Sequence, residues 1–182
     1  MPFQDADTPP RVLAHVIDGV GVLTLNRPAV LNALDLATVR ALTRQLTGWA
    51  SDPAIRAVLL RGSGERAFCA GGDVRALYHL QREGAPELAR YFDEEYALDC
   101  MIHRYPKPTI ALMDGVVMGG GMGISQGCTH RLVTERTRMA MPETAIGLFP
   151  DVGASYFLSR LPPALGAWIG VQSGIMAAMG PG

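Results

Sequence analysis

Two glycine-rich turns constrain this chain more than any other feature: Phe68-Cys69-Ala70-Gly71-Gly72-Asp73 and Met118-Gly119-Gly120-Gly121-Met122-Gly123. Each comes at the end of a short apolar strand. Glycine lets the backbone approach a ligand closely and take up positive φ, so such turns can aim N–H groups into a cleft. If the second turn opens a helix, its free N–H groups also carry the positive end of the helix dipole. Two amides converging on one point would form an oxyanion hole, where a carbonyl gains negative charge during attack. The bland alternative is a pair of tight turns made for close helix packing. A phosphate loop is disfavoured, because Gly119 to Gly123 lacks the GxxxxGK[ST] pattern and no GxGxxG opens a helix after the first strand.

The elements around these turns alternate. Residues 12–25 read as two strands joined at Asp18-Gly19, a hairpin signal, and Asn26-Arg27-Pro28 stops the second. Asp35 is placed to cap a helix whose apolar face is Val39, Leu42, Leu46 and Trp49. A strand at Ala57–Leu60 follows. A second helix spans Pro86 to Arg104, with Leu88, Phe92, Leu98 and Ile102 on one face. Further strands are predicted at Thr109–Met113, Arg131–Thr134 and Met139–Met141, and a helix at Val152–Leu161 ended by Pro162-Pro163. The fold class is α/β.

The third feature, Met141-Pro142-Glu143-Thr144-Ala145-Ile146-Gly147-Leu148-Phe149-Pro150-Asp151-Val152-Gly153, sets Glu143 and Asp151 in an apolar stretch. Desolvation there raises a carboxyl pKa and suits acid–base work. The alternatives are an exposed loop acid for Glu143 and a helix cap for Asp151. Glu94 and Glu95 lie on the second helix, where most acids face water. His15, His79, His103 and His130 have no ligand spacing, so no metal is expected.

With 16 basic and 17 acidic side chains among 182 residues, the formal charge of −1 gives no support for nucleic-acid binding. Cys69, Cys100 and Cys128 form no CxxC and suggest an intracellular setting without a role for the thiols. The start of the chain is polar, and the most apolar stretch, Ala164 to Met179, is broken by Gly166, Gly170, Gln172 and Gly174. No membrane segment and a cytoplasmic location are expected.

The blocks LNRPAVLNAL (25–34), AFCAGGDV (67–74), KPTIALMDGVVMGGGMGIS (107–125) and MPETAIGLFPDVGASYFLSRLP (141–162) resemble the enoyl-CoA hydratase/isomerase, or crotonase, superfamily, and within it the hydrolases of 3-hydroxyacyl-CoA thioesters. The resemblance implies a crotonase-like spiral of ββα repeats and a groove for an acyl-CoA substrate. Coenzyme A is then part of the substrate, and no separate cofactor is called for. It implies an oxyanion hole from the amides of Gly72 and Gly120, a catalytic carboxylate at Glu143, a second acid at Asp151 and a substrate contact at Glu95. Gly120, Glu143 and Asp151 would also contact substrate. Hydratases of the family place a second glutamate two residues after the GGG run; here that position is Gly123. The implied reaction is therefore hydrolysis of a short-chain 3-hydroxyacyl-CoA thioester, with 3-hydroxyisobutyryl-CoA the favoured substrate. The alternatives are an enoyl-CoA hydratase or isomerase, and a non-catalytic acyl-CoA-binding fragment.

Residues 1–11 are expected to be a flexible N-terminus, 12–169 the acyl-CoA-binding domain and 170–182 a divergent tail. Family members run on for a long further stretch, so the C-terminal helical region is read as truncated. On that reading Trp168, Ile169, Ile175 and Met176 should form an apolar patch with few partners. Homo-oligomer formation is possible, weakened by the missing region.

Overall fold

A computed structural model describes residues 9–177, and Met1 to Thr8 of the expected flexible N-terminus and 178–182 of the expected tail lie outside the described residues. The chain opens with strands β1 (Val12–Ile17) and β2 (Val20–Leu25), an antiparallel hairpin in which Ile17 pairs with Val20. Helix α1 (Leu36–Ala50) follows, and the Asp35 side chain accepts from the Thr38 amide at 2.8 Å, as a capping residue does. Its predicted stripe of Val39, Leu42, Leu46 and Trp49 is buried.

The chain then winds through repeated turns, each giving one strand to a large sheet and the next to a small one. These pairs are β3 (Ala57–Gly62) with β4 (Ala67–Cys69), β5 (Thr109–Met113) with β6 (Val116–Met118), and β7 (His130–Val133) with β8 (Arg138–Ala140). The large sheet runs β1-β2-β3-β5-β7, parallel from β2 onward. The small sheet places β4, β6 and β8 side by side in parallel. Helices α2 (Val74–Glu83) and α3 (Glu87–His103) link the first two turns of the spiral, and α4 (Gly120–Gln126) links the second to the third. This is the spiral of ββα repeats that the resemblance implied.

The arrangement decides where the glycine turns sit. Because β4 and β6 are parallel neighbours, with Cys69 opposite Val117, the segments leaving their C-terminal ends emerge together. Sequence periodicity missed β4, β6 and α2. A three-residue strand is too short to show alternation, and α2 has no fully buried residue, with Leu77 only partly covered against the core.

Three further expectations are corrected. The apolar face of α3 is Tyr91, Leu98 and Ile102 with Glu95 among them, whereas Leu88 and Phe92 are only partly covered. The predicted 152–161 helix shrinks to α5 (Ala154–Leu158), because Val152 and Gly153 take positive φ of 43° and 81°. The C-terminal segment also docks more firmly than expected. It forms α6 (Pro163–Gln172), which buries Ile169, and Met176 pairs in β9 (Met176–Ala177) against β8. Trp168 and Ile175 do stay exposed.

Candidate active site

The first glycine turn is locked by the loop before α1. The Leu34 amide donates to Gly71 O at 2.8 Å, and the Asp73 amide donates to Leu34 O at 2.8 Å. These two bonds form an isolated parallel bridge that leaves the Gly72 N–H unused. Gly71 C=O and Gly72 N–H belong to one planar trans peptide, so fixing the carbonyl toward Leu34 turns the amide the opposite way. Gly71 and Gly119 sit at φ of 94° and 50°, conformations that side-chain-bearing residues rarely adopt. A Cβ on Gly71 would lie 3.2 Å from the nitrogen of Gly120, so the two turns touch. Gly120 is the first residue of α4, where an amide has no intrahelical acceptor. Among the described residues neither the Gly72 nor the Gly120 amide donates a hydrogen bond.

Both glycines line one narrow cleft, and the structure brings Glu95, Glu143 and Asp151 into the same cleft. The five residues singled out in the sequence therefore lie around one space. Val74, Ile146 and Leu148 form an apolar rim and remain exposed. A larger cavity of about 650 Å³ lies on the far side of Asp151 and Val152, which line both spaces.

The carboxyls are crowded. Glu143 is 8% exposed, and its Oε2 is buried with no hydrogen-bond partner. Its other oxygen rests on the second turn, 2.8 Å from where a Gly119 Cβ would be. Burial pushes its pKa up to about 7 against the pull of its own amide, with the negative charge of Asp151 adding to the rise. Of the apolar residues near it in sequence, Met141 is fully buried, Ile146 and Leu148 stay exposed at the cleft rim, and Phe149 points to solvent. Glu95 is 2% exposed and accepts from Tyr91 Oη at 2.9 Å. Burial lifts it to about 7, the Tyr91 bond opposes this, and Asp151 and Glu143 add to it. The reading of Glu95 as a water-facing acid is overturned, while Glu94 does face outward and pairs with Arg40. Asp151 is half-buried and accepts from Tyr96 Oη at 2.7 Å. It is not a cap, since the residue before α5 is Gly153 and no side chain caps that helix.

Sequence reasoning missed one member of the group. Asp99 stands one helical turn beyond Glu95, with both carboxyl oxygens buried and unpartnered. Burial, with Glu95 and Asp151 nearby, raises its pKa to about 9. The available signal was spacing: Tyr91, Glu95, Asp99 and Ile102 recur at intervals of four, four and three along α3. Asp99 also bears on Gly123. A Cβ there would meet Val152 Cβ at 2.7 Å and both Asp99 oxygens at 2.9 Å, so the fold leaves no room for a glutamate at that position.

Comparison with known proteins agrees with this architecture. Residues 20–179 match the family model described as enoyl-CoA hydratase/isomerase. A chicken protein named 3-hydroxyisobutyryl-CoA hydrolase, mitochondrial, is 48% identical over 160 residues, covering 88% of this chain and 42% of the relative. A Neurospora crassa protein named small ribosomal subunit protein mS47 is 42% identical over 175 residues, 94% of this chain and 34% of the relative. The crystal structure of a carnitinyl-CoA dehydratase from Mycobacterium thermoresistibile superposes with a TM-score of 0.90 at 46% identity, over 93% of this chain and 50% of that one. The chain thus spans half or less of the length of these relatives. The expected cytoplasmic location gains no support, since the chicken relative is named as mitochondrial. No described helix is long and apolar enough to cross a membrane. By its spiral fold and its matching sequence, the chain belongs to the enoyl-CoA hydratase/isomerase family.

Proposed function

We propose that the chain binds a short-chain 3-hydroxyacyl-CoA thioester, with 3-hydroxyisobutyryl-CoA favoured, and hydrolyses it in the cleft between the two glycine turns. The observation that carries this reading is Glu143: a buried carboxyl with one oxygen unpartnered, in the same cleft as two free amides. In the proposed reaction the thioester oxygen sits between the N–H groups of Gly72 and Gly120, which take up its developing negative charge. Glu143 attacks the carbonyl carbon, or takes a proton from a water that does so. The C–S bond breaks and the coenzyme A thiolate leaves with a proton. In the covalent route, water then hydrolyses the glutamyl anhydride. Asp151, positioned by Tyr96, holds the substrate hydroxyl or the water and assists proton transfer to the departing thiolate. Glu95 borders the acyl group. The apolar rim of Val74, Ile146 and Leu148 suits the uncharged arm of a thioester.

Hydrolysis is favoured over hydration because the space beyond Gly123 is filled by Val152 and Asp99. The name of the chicken relative supports the same choice. Family membership does not by itself carry catalysis, as one relative is named for a ribosomal subunit. The test is thiol release with 3-hydroxyisobutyryl-CoA and crotonyl-CoA measured side by side. Release of free coenzyme A from the first, with no hydration of the second, is expected. Hydration of crotonyl-CoA in its place overturns the hydrolase reading, and binding of both thioesters without turnover leaves a non-catalytic binder.

A further inference from the structure

Gly72 is flanked by a polar assembly that does not touch the cleft. Arg27 reaches from the loop after β2 with its guanidinium largely buried, 13% exposed. Its Nη1 donates to Ala33 O at 2.5 Å, and its Nη2 donates to Asp73 Oδ2 at 2.8 Å. The same Nη2 lies 3.4 Å from Asp35 Oδ2. The Arg27 backbone amide donates to Asn32 Oδ1 at 3.0 Å, while Asn32 Nδ2 donates to Ser63 O and Ala67 O at 3.0 and 2.9 Å. The loop is thereby tied to β4, the strand that delivers the glycine turn.

Asp73 divides its two oxygens between two tasks. Oδ1 accepts from the Ala76 amide at 3.2 Å and caps α2, whereas Oδ2 takes Arg27. One guanidinium therefore holds both ends of the bridge that locks the turn: Ala33, next to Leu34 on one side, and Asp73, next to Gly72 on the other. Leu34 fixes the Gly71 carbonyl, and peptide planarity converts that into a direction for the Gly72 N–H.

We propose that Arg27, through Asp73 and the Ala33-Leu34 segment, is a positioning residue that sets the direction of the Gly72 amide and so the polarisation of the thioester carbonyl; this rests on the function proposed above. An oxyanion donor acts through a short, aligned hydrogen bond, so a small rotation of the peptide weakens the polarisation while leaving the cleft open to ligand. A lysine at 27 offers one nitrogen where Arg27 uses two, so the separate Nη1 bond to Ala33 O and Nη2 bond to Asp73 Oδ2 lose their fixed spacing.

The experiment uses a coenzyme A thioester of an amino-substituted cinnamic acid, whose absorption moves to longer wavelength as its carbonyl is polarised. The whole chain, Arg27→Lys, Asp73→Asn and the control Arg136→Ala are compared by absorption shift, dissociation constant, melting temperature and thiol release. Asparagine caps helices as well as aspartate does, so Asp73→Asn keeps α2 while removing the charge that Arg27 holds. Expected for both variants are a red shift reduced by about half and a kcat lower by about tenfold, with Kd and KM within about threefold of wild type. The double variant should be no worse than the poorer single, and Arg136→Ala should match wild type. Should Arg27→Lys fail to fold, Asp73→Asn decides the matter. Folded variants that keep the full red shift overturn the proposal, as does a loss of kcat accompanied by an equal loss of ligand binding. A wild-type protein that binds the probe with no red shift overturns instead the oxyanion role of Gly72 and Gly120.

Discussion

The cleft has two walls built on different principles. One is backbone: Gly71, Gly72, Gly119 and Gly120, delivered by parallel neighbours β4 and β6 and held by hydrogen bonds from Leu34. The other is side chains: Glu95 from α3, with Glu143 and Asp151 from the segment before α5, and Asp99 of α3 stands behind them on the side of the larger cavity. The glycine wall presents donors whose direction is set by peptide geometry and does not change with pH. The acidic wall presents groups whose charge is set first by burial and then by the neighbouring acids, which lift Glu95 and Glu143 to about 7 and Asp99, behind them, to about 9. A site of this kind fixes position with backbone and tunes reactivity with buried acids.

The hardest test of that division is Glu143→Gln, which keeps shape and removes the base. An activity loss of at least about a hundredfold is expected in a thiol-release assay, with the melting temperature unchanged or raised. Wild-type kcat should climb with pH through about 7, where the Glu143 carboxyl loses its proton. A flat profile, or an active Glu143→Gln, would break the contrast between the walls.

On the glycine wall, Gly121→Ala separates space from helix propensity. In an open helix the change stabilises by about 0.5–1 kcal/mol, but a Cβ here would run into the backbone of Cys69. Urea denaturation should show a loss of about 1–3 kcal/mol. A stabilised variant would mean that this wall yields easily.

Asp99→Asn probes the buried acid behind the acidic wall, on the side of the larger cavity. The Asp99 carboxyl titrates higher in the folded chain than in the unfolded one, so folding takes up a proton between the ordinary carboxylate range and about 9. Its stability contribution is therefore full at low pH and is lost as pH rises through that window. Asparagine removes the titration, and at pH 7.5 we expect a gain of about 1–2 kcal/mol that shrinks as pH falls toward 4. A variant equally stable to wild type at every pH between those values would show that Asp99 is hydrated and carries no such strain.

Tyr96→Phe should have the smallest effect. It frees Asp151 from a 2.7 Å hydrogen bond worth about 1 kcal/mol, so kcat should fall by about threefold to tenfold with little change in melting temperature. If Tyr96→Phe proves as damaging as Glu143→Gln, the tyrosine itself takes part in proton transfer.

Much of this was legible because it is local. The Asp18-Gly19 turn, the Asp35 cap, the α1 stripe and the two glycine turns each depend on residues within a few positions, and the structure places them as the spacing implied. The motifs around Glu143 and Asp151 pointed to the acids, but local composition misassigned their surroundings. Ile146, Leu148 and Phe149, apolar in sequence, are exposed although Met141 is buried, and the residue read as a helix cap is held by a tyrosine 55 positions away. Helical position alone made Glu95 one more surface acid, although the family resemblance marked it as a substrate contact, and nothing marked Asp99.

The sequence by itself determined the alternation of strand and helix, the hairpin, the Asp35 cap of α1 and the conformations that require glycine, because dihedral preferences, capping and periodicity act over short separations. Tertiary structure alone decided that β4 and β6 lie side by side, so that two distant turns share one cleft. It also decided that α3 turns Glu95 and Asp99 inward against Gly120 and Gly123. The charge of an acid depends on how much water and how many other charges surround it, and those neighbours are brought together only when the spiral closes.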